Sequence, residues 1–171
     1  MKIAITGAHR VGKTTLGETL LESLPEYELR QEPYYELEET GHVFSEIPTV
    51  EDYLEQLEYS MDQIRKSEDN VIFDRCPLDI LAYIQTMNSL ENIPSLYRKV
   101  QRIIPELDLL VFVPVEDPDV LSCPESELPE LRYQVNEIVT EWVWDFGIET
   151  IEVHGTLSER REQVLRKIAQ E

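Results

Sequence analysis

Gly7-Ala8-His9-Arg10-Val11-Gly12-Lys13-Thr14-Thr15 is the most informative stretch of this sequence, because it matches the pattern GxxxxGK(S/T). It directly follows a short apolar run at residues 2–6, typical of a buried strand, and opens a helical pattern over about 13–23. The glycines let the backbone curl so that successive N–H groups point into one concavity, and the helix N-terminus adds positive partial charge. We therefore expect the whole loop to hold the phosphates of a nucleoside triphosphate.

We predict a separate role or position for each of four side chains in this loop. Lys13 is long enough to reach between the β- and γ-phosphates, and the Thr14 hydroxyl is a ligand for Mg²⁺. For Arg10, contact with a phosphate or substrate and a place on the surface are equally compatible with the sequence. For His9, we favour a side chain that points to solvent or packs at the sheet edge over a catalytic role.

Strand-like runs alternate with longer helical patterns along the rest of the chain. Four further strands are predicted, at residues 27–31, 70–73, 109–113 and 149–153. The most regular helical pattern has apolar residues at three- and four-residue spacing: Val50, Leu54, Leu57, Met61 and Ile64. This alternation predicts an α/β three-layer sandwich with a five-stranded parallel sheet, the fold of P-loop nucleotide-binding proteins. We expect one domain over residues 1–171, with a proline-rich, acidic, lid-like loop at about 114–129.

A second candidate site lies where the third predicted strand ends, in the run Val71-Ile72-Phe73-Asp74-Arg75. A carboxylate at the carboxyl end of a buried strand lies beside the phosphate loop in this kind of sheet. There Asp74 is suited to hold Mg²⁺, directly or through water. The alternative is a helix cap before Pro77. Arg75 then presents a fork-shaped cation to the same cleft, suited to a phosphate or a substrate hydroxyl.

A third candidate is Glu32, in the run Gln31-Glu32-Pro33 at the end of the second predicted strand. There it is expected to face the cleft and to accept a proton from a substrate hydroxyl. The competing interpretation is an ordinary surface acid, because the chain has 35 acidic residues. The helices around residues 34–66 are expected to form the acceptor pocket.

The aromatic residues near that pocket are more typical of helix packing than of base stacking, although one of them could line a substrate slot: Tyr34, Tyr35 and Tyr53. We also assign Trp142 and Trp144 to packing.

Taken together, the runs GAHRVGKTT, QEP, FDRCPLD and HGTLSER resemble the P-loop small-molecule kinases, in particular nucleoside-kinase-like AAA-type ATPases. The relatives of that group include ribosylnicotinamide kinase domains and deoxynucleoside kinases. The resemblance implies that Glu32 is the general base. It also implies that Gly155 and Thr156 border the adenine, and that Cys76 stands where deoxynucleoside kinases have a serine.

Members of this group often carry an arginine-bearing lid after the fourth strand. Here residues 115–130 contain neither Lys nor Arg. The nearest cation is Arg132, on the following helix, and it is the candidate that would stabilise charge on the transferred phosphate together with Arg75.

The composition argues against nucleic acids and membranes as partners. Lys and Arg number 15 against 35 Asp and Glu, which gives a net charge of −20 and disfavours a nucleic acid. The two cysteines, Cys76 and Cys123, suit a reducing compartment, and no apolar stretch approaches the ~20 residues of a membrane span. We therefore expect a cytoplasmic protein with no membrane partner.

These observations favour a kinase that uses ATP and Mg²⁺ and moves the γ-phosphate to a small acceptor, first of all a nucleoside-like compound. The alternative is a P-loop ATPase or nucleotide-dependent regulator without a small-molecule acceptor. The sequence leaves the oligomeric state open.

Overall fold

Five parallel strands form the centre of the fold. A computed structural model describes residues 1–87, 92–119 and 121–170. Within them the strands lie in the order β2-β3-β1-β4-β5. Their bounds are β1 (Lys2–Thr6), β2 (Glu28–Arg30), β3 (Val71–Asp74), β4 (Leu109–Phe112) and β5 (Glu149–Glu152). The five-stranded parallel sheet expected from the sequence is confirmed, although β2 is shorter than expected.

Helices cover both faces of this sheet. They are α1 (Lys13–Leu21), α2 (Pro33–Glu39), α3 (Val50–Lys66), α4 (Pro77–Thr86), α5 (Ile93–Ile103), α6 (Pro129–Trp142) and α7 (Leu157–Ile168). Helices α1 and α7 pack against each other, and α3, α4, α5 and α6 form a second packed group. The predicted three-layer sandwich is therefore confirmed.

The core follows from the strand order. The three central strands, β1, β3 and β4, are apolar and almost wholly buried because helices cover both of their faces. The edge strands β2 and β5 mix exposed and half-buried residues. Parallel pairing sets Ile5 opposite Asp74, which brings the end of β3 next to the turn that follows β1.

Capping residues and prolines mark where the helices near the site begin. Thr49 and Asp52 form a capping box at the start of α3, in which each side chain accepts a hydrogen bond from the other's backbone N–H. Pro33 and Pro77 begin α2 and α4, where the missing N–H of proline costs no hydrogen bond.

The two tryptophans differ in their surroundings. Trp142 packs on the core, with its ring 5.2 Å from that of Tyr97. Trp144 is 53% exposed, so the expectation that it packs is wrong. It lies just beyond the end of α6, where the helical periodicity that would turn it inward no longer applies.

Two further expectations concern the surface. Residues 114–119 and 121–128 form a loop with a short 3-10 helix at Glu125–Glu127, and Pro129 already begins α6. Val120 lies outside the described residues. None of the described helices has both the length and the apolar composition to cross a membrane.

Gly7 provides a test of the turn after β1. Its φ is +145°, and an added Cβ would lie 2.3 Å from the carbonyl oxygen of Val113. Gly41 also has positive φ, at +93°, but an added Cβ there meets nothing within 4 Å. We expect Gly7→Ala to lower the free energy of unfolding by about 3 kcal/mol or more, and Gly41→Ala by about 1 kcal/mol. Denaturant unfolding measures both, and equal losses would contradict the close contact with Val113.

Candidate functional site

The loop between β1 and α1 has the conformation that a phosphate cradle requires. Gly7, Arg10 and Gly12 all have positive φ, at 145°, 54° and 88°, and Gly12 directly precedes the first turn of α1. That turn carries no acidic residue, so its N–H groups keep their positive partial charge. A cavity of about 410 Å³ opens onto this loop and is lined by Lys13, Thr14 and Thr15 among others.

Lys13 lies folded over the loop. Its side chain is buried, and its Nζ donates a hydrogen bond to the carbonyl oxygen of Ala8 at 2.8 Å. Burial lowers the pKa of Lys13 below its ordinary value, and the nearby Arg75 lowers it further. An anion in the cavity would offset both effects, so this lysine gains most by pairing with a phosphate.

Thr14 and Asp74 meet at the loop, as expected from the sequence. The Thr14 hydroxyl donates to Asp74 Oδ2 at 2.6 Å, and the other carboxylate oxygen, Oδ1, is buried without a partner among the described residues. Burial raises the pKa of Asp74 above its ordinary value, although Lys13 and the Thr14 hydroxyl favour the charged carboxylate. A hydroxyl and an unsatisfied carboxylate oxygen side by side are the hard ligands that Mg²⁺ prefers, so these residues fit that ion.

Arg75 is less accessible to a ligand than the sequence predicted. It is buried, with Nε 3.1 Å from Glu32 Oε2 and 3.7 Å from Asp79 Oδ2, and its guanidinium carbon lies 5.2 Å from the centre of the Tyr83 ring. The expected free fork is therefore already flanked by two carboxylates. Both ion pairs are made through Nε, which places the guanidinium directly beside the Glu32 carboxylate.

Glu32 itself is held as a carboxylate. Burial alone would raise its pKa, but Arg75 and Lys13 outweigh this effect and hold the pKa of Glu32 below its ordinary value. The side chain lines the cavity on the phosphate loop and also a second cavity of about 310 Å³. An ionised carboxylate thus lies at the boundary between the two cavities.

The second cavity has aromatic walls. Tyr34 and Phe44 stack with ring centres 4.6 Å apart, and Tyr53 and Tyr83 stack at 5.3 Å. These four side chains and Glu32 line the cavity. The expected pocket around residues 34–66 is present, and two of the tyrosines assigned mainly to packing, Tyr34 and Tyr53, line it.

His9 connects the loop to this second cavity. Its Nε2 lies 2.6 Å from the carbonyl oxygen of Glu127, so Nε2 carries the hydrogen and Nδ1 accepts from the Tyr83 hydroxyl at 2.7 Å. The His9 backbone N–H donates to the same hydroxyl at 2.8 Å. Neither a solvent-facing position nor packing at the sheet edge describes this residue. Its side chain lines the aromatic cavity and not the phosphate cavity.

Arg132 differs from the expectation of a cation aimed at the phosphate. It is 1% exposed, donates to the carbonyl oxygens of His9 and Arg10 at 3.0 Å each, and forms an ion pair with Asp119. Its guanidinium therefore holds the loop at 114–129 against the outer side of the phosphate loop. Arg10 is also engaged, in an ion pair with Glu127.

Gly155 and Thr156 lie at the start of α7, apart from the lining of the phosphate cavity. Thr156 caps α7 by accepting from the N–H of Glu159, and the Gly155 N–H donates to Glu116 Oε1 at 2.8 Å. The same Glu116 oxygen accepts from Arg160 at 2.9 Å. Their expected contact with adenine stays a prediction.

Three further residues belong to this site and were not predicted from the sequence. Arg160 is buried and donates to the carbonyl oxygen of Val11 at 2.6 Å. Asp79 is wholly buried, and burial raises its pKa to about 6. Tyr83 hydrogen-bonds to His9, stacks on Tyr53 and has the guanidinium of Arg75 over its ring. Only the position of Asp79 could have been predicted, because it lies three residues after Cys76, the spacing of a capping box. In the structure its carboxylate accepts a hydrogen bond from the Cys76 N–H.

A comparison of the sequence with known families finds a match to the AAA domain family over residues 2–160. The chain belongs to the AAA domain family. No functionally curated protein matches it.

Solved structures share the fold of this AAA domain at low sequence identity. A deoxyadenosine kinase from M. mycoides is 19% identical, with 99% of each chain covered and a TM-score of 0.68. A thymidylate kinase from Candida albicans is 17% identical, with 99% of this chain and 91% of that chain covered and a TM-score of 0.64. NadR in complex with NR is 16% identical over 97% of this chain and 48% of that chain, with a TM-score of 0.69. The predicted resemblance to P-loop nucleoside and small-molecule kinases is confirmed in fold.

The environment of His9 predicts a pH effect on stability. Burial lowers the pKa of His9 below its ordinary value of 6.5, so the native protein binds this proton less readily than the unfolded chain. Stability should therefore fall as the pH drops below 6.5, and this component should be absent in His9→Gln. Denaturant unfolding of both proteins between about pH 5 and pH 7.5 measures the difference. Parallel pH profiles of the two proteins would contradict a buried, neutral His9.

Proposed function

We propose that this AAA domain is an ATP-dependent kinase that transfers the γ-phosphate of ATP to a hydroxyl of a small acceptor. The observation that carries the proposal is the position of Glu32, which lines both the phosphate-loop cavity and the aromatic cavity. A general base must reach the acceptor hydroxyl where it meets the γ-phosphate. A protein that only hydrolyses ATP needs no second, acceptor-sized cavity on the far side of that base.

The phosphate loop would bind ATP through its backbone N–H groups from Gly7 to Thr15, with Lys13 between the β- and γ-phosphates. Thr14 and Asp74 would hold Mg²⁺, because their oxygens already lie 2.6 Å apart and one Asp74 oxygen is unsatisfied. When bound, Mg²⁺ supplies positive charge to the phosphate oxygens. Gly155 and Thr156 would border the adenine.

In the transfer step, Glu32 takes the proton of the acceptor hydroxyl as the oxygen forms its bond to the γ-phosphorus. The bond from that phosphorus to the β–γ bridging oxygen breaks, and ADP leaves. The lowered pKa of Glu32 supports this role, since the carboxylate is ionised at neutral pH. Arg75 would orient Glu32 and stabilise nearby negative charge.

Residues 114–129 would act as the lid of this single domain. Asp119 and Glu127 on that segment pair with Arg132 and Arg10, which supports a lid that closes over the loop. Arg132 would then assist transfer by positioning the phosphate loop through its carbonyl oxygens. Free thiols at Cys76 and Cys123 support a reducing compartment such as the cytoplasm.

The lid also favours a second candidate, an ATPase or nucleotide-dependent regulator, because residues 115–130 contain no Lys or Arg to meet a transferred phosphate. ADP release from Mg·ATP, with and without a panel of nucleosides and related alcohols, separates the two. A kinase releases ADP only with its acceptor and leaves phosphate on that acceptor. Steady ADP release without any acceptor would identify the ATPase.

Replacement of Lys13 tests the nucleotide site. We expect Lys13→Ala to lower turnover by about 10²-fold or more and to weaken ATP binding, because the ammonium would no longer offset the phosphate charge. ADP release and calorimetric titration with ATP measure the two effects, and circular dichroism checks the fold. Lys99→Ala is a matched control, since Lys99 is exposed and pairs with Glu58 on the surface. Normal turnover of Lys13→Ala would contradict the assignment.

Replacement of Glu32 tests the base. With the true acceptor, Glu32→Gln should lower kcat by about 10²- to 10⁴-fold, because the amide keeps the shape of the side chain and cannot accept the proton. ATP affinity should change much less. Glu28→Gln is the control, since Glu28 lies on the edge strand β2 that leads to Glu32 and has an exposed side chain. A rate equal to that of the parent would show that Glu32 is not the base.

A further inference from the structure

We infer that Asp79 is a positioning residue of the transfer reaction: it shares the Arg75 guanidinium with Glu32 and keeps that guanidinium paired while Glu32 holds the proton of the acceptor. This inference rests on the proposed function, in which Glu32 is the base. Asp79 lies in the first turn of α4 and is not among the described residues that line either cavity. It would therefore act through Arg75 and not on a ligand.

The cap of α4 uses only one of the two Asp79 carboxylate oxygens. Oδ1 accepts a hydrogen bond from the Cys76 N–H at 2.8 Å and another from the Thr6 hydroxyl at 3.1 Å. The amide oxygen of an asparagine could accept the same two bonds. Oδ2 is buried and accepts no hydrogen bond from the described residues. A charged oxygen that is buried in this way needs a reason other than the cap.

The second oxygen of Asp79 lies beside Arg75. Asp79 Oδ2 is 3.7 Å from Arg75 Nε, and Glu32 Oε2 is 3.1 Å from the same nitrogen. The buried Nε–H makes a well-directed hydrogen bond to neither oxygen. The backbone of Arg75 is fixed, because its N–H donates to the carbonyl oxygen of Ile5 at 3.1 Å. The guanidinium is therefore shared between the two carboxylates and committed to neither.

The transfer step changes the charge that Arg75 faces. Before the step, this one cation lies between two carboxylates. Glu32 becomes neutral when it takes the proton of the acceptor hydroxyl, and an unpaired guanidinium would then be left in a buried position. Asp79 supplies the remaining counter-charge. Its negative charge also disfavours the ionised form of Glu32, which makes Glu32 a stronger base.

The surroundings of Asp79 set the pH range in which it carries this charge. The titratable and charged groups that face it are Lys13, Glu32, Arg75, Cys76 and Tyr83. Burial raises the pKa of Asp79 to about 6, although the two cations oppose the shift. Burial also raises the pKa of the Cys76 thiol and of the Tyr83 hydroxyl, so both stay uncharged. Asp79 is thus ionised at neutral pH and becomes protonated toward about pH 5.

The kinetic test removes the charge of Asp79 and keeps its shape. Asp79→Asn retains an oxygen for the cap of α4, and circular dichroism checks that the protein folds. With Mg·ATP and the panel compound that supports ADP release, kcat at about pH 7.5 should fall about tenfold while KM for ATP stays within about twofold. Asp108→Asn is the matched control, since Asp108 is exposed and accepts from the Lys2 N–H at the other end of the sheet. An unchanged kcat in Asp79→Asn would overturn the inference.

Two readouts separate this role from structural damage. The ratio of parent kcat to Asp79→Asn kcat should fall toward one between about pH 7.5 and about pH 5, because Asp79 of the parent protein loses its charge there. His9 titrates equally in both proteins and cancels in the ratio. In the Glu32→Gln protein, Asp79→Asn should lower kcat by less than about twofold, because the base through which it acts is gone. A ratio that is constant with pH, or losses that multiply, would contradict the shared guanidinium.

A nuclear magnetic resonance measurement needs neither an acceptor nor an Asp79 variant. In isotope-labelled Glu32→Gln protein, Arg75 should pair with Asp79 alone. Its Nε–H proton should then resonate downfield of its position in the parent protein and return upfield as Asp79 becomes protonated. Arg75→Lys assigns the signal.

This measurement keeps the inference separate from the proposed function. If no compound releases ADP but the Arg75 signal behaves as expected, the kinase proposal fails and the pairing of Arg75 with Asp79 stands. If the signal does not move in Glu32→Gln, or keeps its position down to about pH 4, Asp79 does not hold the guanidinium and the inference fails by itself.

Discussion

The parallel pairing of β3 with β1 is the interaction on which the site depends. Because Asp74 is opposite Ile5, the carboxyl end of β3 meets the turn that follows β1. That register brings Asp74 to the Thr14 hydroxyl and sets Arg75 against Glu32, which lies between the neighbouring strand β2 and helix α2. A shift of that register by one residue would turn the Asp74 side chain to the other face of the sheet, away from Thr14.

A local concentration of buried cations lets a strongly acidic chain form an anion site. The chain has a net charge of −20, yet the buried basic residues among those described are Lys13, Arg75, Arg132 and Arg160. All four lie on or directly beside the phosphate loop. The three arginines also pair with the carboxylates Glu32, Asp119 and Glu116, so the positive field at the loop comes mainly from Lys13 and the loop N–H groups. The acidic surface and the nucleotide site are therefore separate electrostatic regions of one molecule.

The parts of the site that the sequence predicted are those in which neighbours along the chain act together. Lys13 and Thr14 could be assigned because the loop and the helix after it form one local unit, and Asp74 because a buried strand ends there. The strand order could not be assigned, but the parallel sheet followed from the alternation of elements. Residues that reach the site from distant helices leave no local pattern in the sequence from which their contacts could be predicted. Arg160 is 149 positions from Val11, and Arg132 is 123 positions from His9. Trp144 was misassigned because an apolar residue just past a helix end carries no periodic signal.

Two arginines from the last helices complete a loop encoded near the beginning of the chain. Arg132 on α6 and Arg160 on α7 donate hydrogen bonds to the carbonyl oxygens of His9, Arg10 and Val11. These contacts join residues more than a hundred positions apart, so they form only when α6 and α7 pack against the sheet. The loop is therefore local in sequence, but its shape depends on two helices that are distant along the chain.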